Sequence, residues 1–132
     1  MQVVVFNIGD EQFAVETSKV QSINDLMKIT KVPKAPEYIK GLINLRGNIL
    51  SILDINLLLN MNLSNENNDN IIILKLEEEL VGITVDAVDE VMEFTEDQLE
   101  KVYNDMDRPY IKGVINLKDR IITLIDIDKL LQ

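Results

Sequence analysis

Short runs in which apolar and polar residues alternate make up most of this chain, and β-branched residues are frequent in them. Runs of this kind predict β-strands with one buried face. Residues 60–70 interrupt the pattern with six Asn and no aromatic or β-branched residue, which predicts an exposed loop. Five strands are predicted before this loop and five after it: 3–8, 13–16, 20–25, 41–46, 49–54, 71–76, 80–85, 87–94, 113–118 and 121–126.

The two halves of the chain repeat each other. Residues 38–59, YIKGLINLRGNILSILDINLLL, match residues 110–131, YIKGVINLKDRIITLIDIDKLL, at 12 of 22 positions. Five short strands in each copy are what a small closed barrel needs, and closure removes exposed strand edges. The predicted fold class is therefore all-β, with two similar five-stranded barrels side by side. The two barrels correspond to the approximate sequence halves 1–62 and 70–132. The prediction leaves open whether strands are exchanged between the barrels at this boundary.

Little helix is expected. The segments 54–59 and 126–131 each begin with Asp, a favourable N-cap, and place Leu at helical spacing, which predicts one short helix at the end of each copy. Thr95 begins the T-x-x-Q spacing of a capping box, so residues 95–102 are a further predicted helix. Residues 32–38 contain two of the three Pro and predict a stiff, extended connector.

Composition narrows the classes of function. The net charge is −10, whereas nucleic-acid and anionic-membrane surfaces need clustered Lys and Arg, so neither partner is expected. With no His and no Cys, the chain lacks an imidazole base, a thiol nucleophile and the usual zinc ligands. The three Glu at 77–79 are explained by an exposed turn, and Asp126 of the Asp-Ile-Asp segment 126–128 is explained by a helix cap, so neither segment is needed as a metal site. Without a signal peptide or an apolar run of roughly 18 residues, a cytoplasmic protein without cofactor or metal is expected.

The stretch YIKGLINLRGNILSILDI, residues 38–55, resembles the signature of the CheW family of bacterial chemotaxis adaptors. Its core is an apolar strand that ends in N-L-R-G, followed by a second apolar strand that ends in Asp. The likeness continues in family order through KVQSI (19–23), GITVDAVDEV (82–91) and GVINLKDRIITLIDIDKL (113–130). The resemblance therefore covers essentially the whole chain.

This resemblance implies two five-stranded, SH3-like barrels and no enzymatic activity. It implies an adaptor that binds the C-terminal regulatory domain of the histidine kinase CheA and the helical cytoplasmic tip of methyl-accepting chemoreceptors. Receptor–kinase arrays would recruit such a protein to the membrane without direct insertion. Two alternatives stay open. One is the coupling domain of a chemotaxis kinase or of a CheV-type adaptor, and the other, from a different class, is a small β-barrel enzyme or ligand-binding protein.

Arg46 and Gly47 are the strongest candidates for a partner-binding site. Gly47 and the Asn that follows it suit a tight turn, so Arg46 is expected at an exposed strand end. The second copy has Lys118 and Asp119 at these places, so barrel construction does not require Arg-Gly. A guanidinium on a rigid turn can make forked hydrogen bonds to a partner. The alternative interpretation is a solvated turn residue paired with a nearby carboxylate.

The resemblance also implies a receptor-binding groove between the barrels, formed by the predicted strands 20–25 and 87–94. Many family members have Glu at the position of Ser22, where it can pair with the motif Arg, so Ser22 is expected to leave Arg46 free for a partner. Met92 has a flexible thioether that adapts to a partner helix, with core packing as an equal alternative. The candidate contacts are Val20, Ser22, Ile23, Val88, Val91 and Met92.

Overall fold

The computed structural model describes residues 1–59, 70–101 and 109–131. The predicted Asn-rich loop lies outside these residues, apart from Asn70. The strands of the described part are β1 (Gln2–Ile8), β2 (Glu11–Glu16), β3 (Val20–Asp25), β4 (Ile39–Leu45), β5 (Asn48–Leu53), β6 (Asn70–Lys75), β7 (Leu80–Val85), β8 (Ala87–Glu93), β9 (Leu99–Lys101), β10 (Ile111–Asn116) and β11 (Ile121–Ile125). Two short helices, α1 (Ile55–Leu58) and α2 (Ile127–Leu130), and two 3-10 turns, Thr17–Lys19 and Glu96–Gln98, complete it.

Every predicted strand is present, but the predicted helix over 95–102 is wrong. The capping box at Thr95 caps only the 3-10 turn Glu96–Gln98, and β9 follows it directly. Residues of β9 pair with β10, since Leu99 opposes Ile115. Hydrogen bonding to a sheet edge therefore overrides the local helix signal, and the sheet that contains β9 has six strands rather than the expected five.

Each of the two sheets takes strands from both halves of the sequence. The six-stranded sheet has the order β8-β1-β2-β11-β10-β9, and the five-stranded sheet has the order β3-β6-β7-β5-β4. The hairpin β1–β2 of the first half thus lies in the sheet of the second copy, and the hairpin β6–β7 lies in the sheet of the first. One whole hairpin from each half is exchanged, so neither sheet coincides with a sequence half.

Both sheets close into barrels. In the five-stranded barrel, Thr30 lies beyond the end of β3 and exchanges two 2.8 Å hydrogen bonds with Leu42 of β4, the strand at the far edge. In the six-stranded barrel, the second 3-10 turn leads directly from one edge strand, β8, to the other, β9. Glycine is needed at both closures: a Cβ on Gly41 would lie 2.5 Å from the carbonyl oxygen of Thr30, and one on Gly113 would lie 2.8 Å from that of Glu100.

Three clusters of buried apolar side chains stabilise the fold. One cluster fills each barrel, and the third, called the shared core here, draws on both barrels. Strand β1 buries both of its faces, with Val3 in the core of its own barrel and Val4 in the shared core. Strand β6 does the same with Ile71 and Ile72, which explains why these two strands are nearly continuous apolar runs. The shared core consists of Val4, Phe6, Ile8, Phe13, Val15, Leu53, Ile55, Leu59, Ile72, Leu74, Val81, Ile83, Val85, Tyr110, Ile125, Ile127 and Leu130.

Candidate protein-interaction surface

Arg46 and Gly47 form the two-residue turn between β4 and β5. Both have positive φ, 53° and 85°, as in a type I′ hairpin turn. The N–H of Gly47 donates a hydrogen bond to Oδ1 of Asn44 at 3.0 Å, and Leu45 pairs with Asn48 across the two strands. A left-handed backbone costs a residue with a Cβ roughly 1–2 kcal/mol, so the turn carries strain at Arg46.

The Arg46 side chain is available to a partner. It is exposed, and it makes no hydrogen bond or ion pair with any residue that the structure describes. Ser22, which is expected to leave Arg46 free, donates its hydroxyl group to Oδ1 of Asn24 at 2.9 Å and not to a group of Arg46. Strained backbone positions concentrate at functional sites, and here the strained position presents, on a two-residue turn, a guanidinium that no described residue pairs with.

The equivalent turn of the second copy has a different backbone. Neither Lys118 nor Asp119 has positive φ, and the turn is closed by a 2.9 Å hydrogen bond from the N–H of Leu117 to the carbonyl oxygen of Arg120. The two turns therefore differ in backbone conformation as well as in sequence.

Arg120 is held within the chain, in contrast to Arg46. Its Nη1 lies 2.9 Å from Oδ2 of Asp89, and its Nη2 lies 2.6 Å from Oε1 of Glu90. Nη1 also donates to Gln12 at 3.4 Å. The hydrogen bonds to Asp89 and Glu90 raise the pKa of the Arg120 guanidinium above its ordinary value, so it stays charged. This arginine joins the start of β11 to β8, the edge strand of the same sheet.

Ile23 on β3 and Val91 on β8 lie where the two barrels meet. Residues that oppose each other on paired strands share a face of the sheet. Ile23 opposes Ile72 and Val91 opposes Val4, and both partners belong to the shared core. Ile23 and Val91 are nevertheless 40% and 52% exposed. They extend the apolar shared core to the surface of the molecule.

Val20 and Val88 lie on the same two faces, closer to the shared core. Val20 opposes Leu74 and Val88 opposes Phe6, and both valines pack, partly buried, against that core. One β-bulge lies between Val20 and Ile23 on β3, and another lies between Val88 and Val91 on β8. Because of the bulge, the two residues of each pair share a face although they are three positions apart. These four apolar residues are called the barrel-junction strip below.

Ser22 and Met92 lie on the opposite faces of the same strands. Ser22 opposes Ile73, a member of the five-stranded barrel's core, and Met92 opposes Val3, a member of the six-stranded barrel's core. Met92 packs, partly buried, against the latter core. The structure thus favours the core-packing alternative for Met92, and both side chains support their strands from inside the barrels.

Two exposed isoleucines were missed by the sequence interpretation. Ile49 and Ile121 follow the two equivalent turns and are 69% and 62% exposed. A signal was present, because both copies keep Ile at this position while the turn residues before it differ. Ile49 lies three residues after Arg46 on the same hairpin, so this hairpin carries an exposed cation and an exposed apolar side chain near its tip.

One further ion pair joins the first 3-10 turn to α2. Nζ of Lys19 lies 2.7 Å from Oδ2 of Asp128, and this hydrogen-bonded carboxylate raises the pKa of the Lys19 ammonium above its ordinary value. Within residues 1–59, 70–101 and 109–131, no group of three or more His, Cys, Asp or Glu could hold a metal ion. None of the helices in these ranges is long and apolar enough to cross a membrane.

Comparison with known proteins identifies the family of this chain. The CheW-like domain family matches residues 2–132. The chain is 32% identical to the chemotaxis protein CheW of Klebsiella aerogenes, with 97% of this chain and 80% of that protein covered. It is 29% identical to the chemotaxis protein CheW of Thermotoga maritima, with 99% and 87% covered. The crystal structure of the scaffolding protein TtCheW from Thermoanaerobacter tengcongensis is similar with a TM-score of 0.85 and 29% identity, with 94% and 87% covered.

The two-barrel fold, together with these matches over nearly the whole chain, places the protein in the class of scaffold proteins. The chain belongs to the CheW-like family of chemotaxis adaptors and has the two SH3-like barrels of that family. The predicted family and all-β fold class are confirmed. CheW proteins are non-enzymatic, so the chain is a scaffold or adaptor and not an enzyme.

Proposed function

We propose that this protein couples methyl-accepting chemoreceptors to the histidine kinase CheA by binding both, and that it supports their assembly into arrays. The curated relatives described above are chemotaxis CheW proteins, which favours this adaptor function over the coupling domain of a kinase or of a CheV-type adaptor. The observation that carries the proposal is the strained turn that presents Arg46, to which no residue of the described ranges is paired. The protein would act in the cytoplasm and reach the membrane arrays through its partners.

The hairpin tip of the five-stranded barrel is the proposed contact for the C-terminal regulatory domain of the kinase. Arg46 can donate forked hydrogen bonds to a carboxylate or to backbone carbonyls of that domain. Apart from Gly47 itself and its two chain neighbours, no atom of the described residues lies within 4 Å of the place where a Cβ on Gly47 would be, so a partner backbone can approach the turn closely. Ile49 supplies an exposed apolar contact beside the cation.

The barrel-junction strip is the proposed contact for the helical receptor tip. Val20 and Ile23 on one barrel and Val88 and Val91 on the other offer apolar side chains at both margins of the shared core. An amphipathic helix binds such a groove through apolar residues spaced along one face. Ser22 and Met92 would act there through the position of their strands.

The proposed mechanism is positional. Two closed barrels joined by a shared core form a stiff body, because packed interiors resist deformation. A stiff adaptor bound to both partners would transmit a displacement of the receptor tip to the kinase. A signal of this kind requires that the receptor states differ in their free energy of binding to the adaptor–kinase complex.

Titration calorimetry with the kinase's C-terminal regulatory domain and with a receptor-tip fragment tests the proposal. Binding to both is expected, with dissociation constants below about 50 μM. The variant Arg46→Asp is expected to weaken kinase binding about 30-fold or more, since it removes a hot-spot cation and introduces a repelling charge. Lys118→Asp, the same charge change in the equivalent turn, is the control and is expected to change kinase binding less than threefold. Failure of the wild-type chain to bind either partner would overturn the adaptor proposal.

A second pair of variants tests the assignment of the receptor surface. Ile23→Asp and Val91→Asp place a charge on the barrel-junction strip and are expected to weaken receptor binding about tenfold or more, with kinase binding retained. Ile121→Asp, at an exposed isoleucine on β11 that is not part of the strip, is the control. If Ile121→Asp and Ile23→Asp reduce receptor binding equally, the strip is not the receptor surface.

A further inference from the structure

Tyr38 and Tyr110 are equivalent residues of the two copies, and their backbones are held in the same way. Each begins a repeated segment, Tyr-Ile-Lys-Gly. The carbonyl oxygen of Tyr38 accepts the N–H of Asp54, and that of Tyr110 accepts the N–H of Asp126, both at 2.7 Å. Asp54 and Asp126 are the N-caps of α1 and α2, so each tyrosine backbone is fixed to the start of the helix in its own copy.

The side chains of these two tyrosines nevertheless differ in position. Tyr110 is 9% exposed and belongs to the shared core, and its hydroxyl donates to the carbonyl oxygen of Leu59 at 3.2 Å. Leu59 is the C-cap of α1, so this bond crosses from the second copy to the first. Tyr38 is 45% exposed, and its hydroxyl makes no hydrogen bond with any residue in the described ranges. The second tyrosine is thus closed onto the helix of the other copy, whereas the first is open.

A groove of about 520 Å³ lies at the open tyrosine. Tyr38 lines it together with Leu58 of α1 and Leu131 at the end of α2. Leu131 is the C-cap of α2 and the counterpart of Leu59, and its carbonyl oxygen accepts no hydrogen bond from another described residue. The last carbonyl groups of a helix have no partner within the helix, and a buried tyrosine hydroxyl needs an acceptor. The groove therefore offers Tyr38 the same kind of acceptor that Tyr110 uses.

Smaller side chains explain why the tyrosine of the first copy is open. Val81 and Ser51 line the groove and oppose each other on β7 and β5, whereas Phe13 and Thr123 hold the equivalent positions on β2 and β11. Phe13 and Tyr110 are both buried in the shared core. Protein interiors pack closely, so a tyrosine that enters the wider groove of the first copy makes fewer contacts than Tyr110 does. The difference in side-chain volume disfavours closure in the first copy without blocking it.

We propose that Tyr38 is an aromatic latch, poised to close into this groove with its hydroxyl donating to the carbonyl oxygen of Leu131. Closure ties the start of β4 to the end of α2, just as Tyr110 ties the start of β10 to the end of α1. The groove is accessible from outside only while the latch is open, so the latch regulates access to it. The proposal concerns the chain alone and does not depend on the partners that the chain binds.

Fluorine NMR of the chain labelled with fluorotyrosine tests this proposal. The chain has three Tyr, and single Tyr→Phe variants assign their signals. A soluble paramagnetic reagent is expected to broaden the signal of Tyr38 more than that of Tyr110 in the wild type. Val81→Phe supplies the ring of the second copy and is expected to reduce the broadening of Tyr38 about twofold or more, because the population shifts to the closed position. Val91→Phe, the same change at an exposed position of β8, is the control and is expected to leave Tyr38 unchanged.

The reciprocal variant in the second copy gives an independent readout. Phe13→Val is expected to increase the paramagnetic broadening of Tyr110 about twofold or more and to leave Tyr38 unchanged. Phe13→Leu replaces it if the larger loss of core volume unfolds the chain. Urea unfolding adds a test of the hydroxyl, since Tyr38→Phe should lower the midpoint more in the Val81→Phe chain than in the wild type. A Tyr38 ring that stays as exposed in Val81→Phe as in the wild type, or a Tyr110 ring that stays buried without Phe13, would overturn the proposal.

Discussion

The backbone N–H of Gly47 donates a hydrogen bond to the side-chain oxygen of Asn44 at 3.0 Å, and this bond spans the turn that presents Arg46. Asn116 holds the matching position in the second copy, yet its side chain donates to Glu100 at 3.2 Å. One asparagine that both copies keep therefore has two different functions. The difference arises because only the first copy has a glycine in its turn, with φ of 85°.

Replacing Asn44 should therefore matter more than replacing Asn116. Asn44→Ala removes the hydrogen bond that holds the turn and is expected to lower the free energy of unfolding by about 0.5–1.5 kcal/mol. Asn116→Ala removes an exposed hydrogen bond to Glu100 and is expected to cost less than about 0.5 kcal/mol. Urea unfolding of both variants measures the difference. Equal losses would show that the Asn44 bond adds nothing specific to the turn.

Arg46→Gly separates stability from binding. Glycine adopts a positive φ without the steric cost that Arg46 bears, so the free energy of unfolding is expected to stay equal or to rise by up to about 1 kcal/mol. Kinase binding is nevertheless expected to fall about tenfold or more, because the guanidinium is gone. Urea unfolding and calorimetry on the same sample measure both quantities. A clear loss of stability with unchanged binding would contradict the assignment of Arg46 to the interface.

Arg120→Gln is expected to lower stability without weakening partner binding, the opposite of Arg46→Gly. It breaks the pairs with Asp89 and Glu90 that join the start of β11 to β8, so a loss of stability of about 1 kcal/mol is expected. Partner binding should be unaffected, because this arginine is held within the chain. Thermal unfolding at low and high salt measures the first effect, which salt should reduce. A variant that unfolds like the wild type and binds a partner less well would reverse the roles given to the two arginines.

Gly41, at a barrel closure, and Gly82, inside β7, predict a graded loss of stability. A Cβ on Gly41 would meet the carbonyl oxygen of Thr30 at 2.5 Å, and backbone cannot move aside cheaply, so Gly41→Ala is expected to cost about 2–3 kcal/mol. Gly82→Ala would meet the side-chain end of Ile52 at the same distance, and that methyl can rotate away. A smaller cost, about 1 kcal/mol, is expected there. Urea midpoints of the two variants give the order, and a greater loss for Gly82→Ala would contradict it.

The pair of Lys19 and Asp128 predicts a weak dependence of stability on alkaline pH. The pKa of Lys19 is raised in the folded state above its ordinary value of 10.5, so the pair contributes fully below that value and is lost as the pH rises through the folded pKa. Both side chains are more than one-third exposed, so the contribution is expected to be less than about 1 kcal/mol. The melting temperatures of wild type and Lys19→Met should therefore differ slightly at neutral pH and converge as the pH rises through the folded pKa of Lys19. A constant difference would show that the charge is not its cause.

The candidate site was only partly predictable from the sequence. Gly47 and Asn48 predict an exposed turn with Arg46 at the end of the preceding strand, and the comparison of the two copies singles out Arg46. The structure instead places Arg46 in the turn and Asn48 in β5. The left-handed backbone at Arg46 was not predictable, because the usual residues of a type I′ turn are Asn and Gly. Placing Ser22 and Met92 inside the barrels needed the strand register, since a shift of one residue exchanges the two faces of a strand.

By itself, the sequence determined the elements of this protein whose causes are local. Alternation of apolar and polar residues predicts the strands, the repeat predicts the duplicated architecture, and Asp54 and Asp126 cap α1 and α2 as expected, each accepting two backbone N–H groups. Only the tertiary structure decided which strands pair: the exchange of the β1–β2 and β6–β7 hairpins, the sixth strand β9, and the shared core. The physical reason is that pairing depends on contacts between residues far apart in the chain, whereas a local pattern shows that a face is buried without showing what covers it.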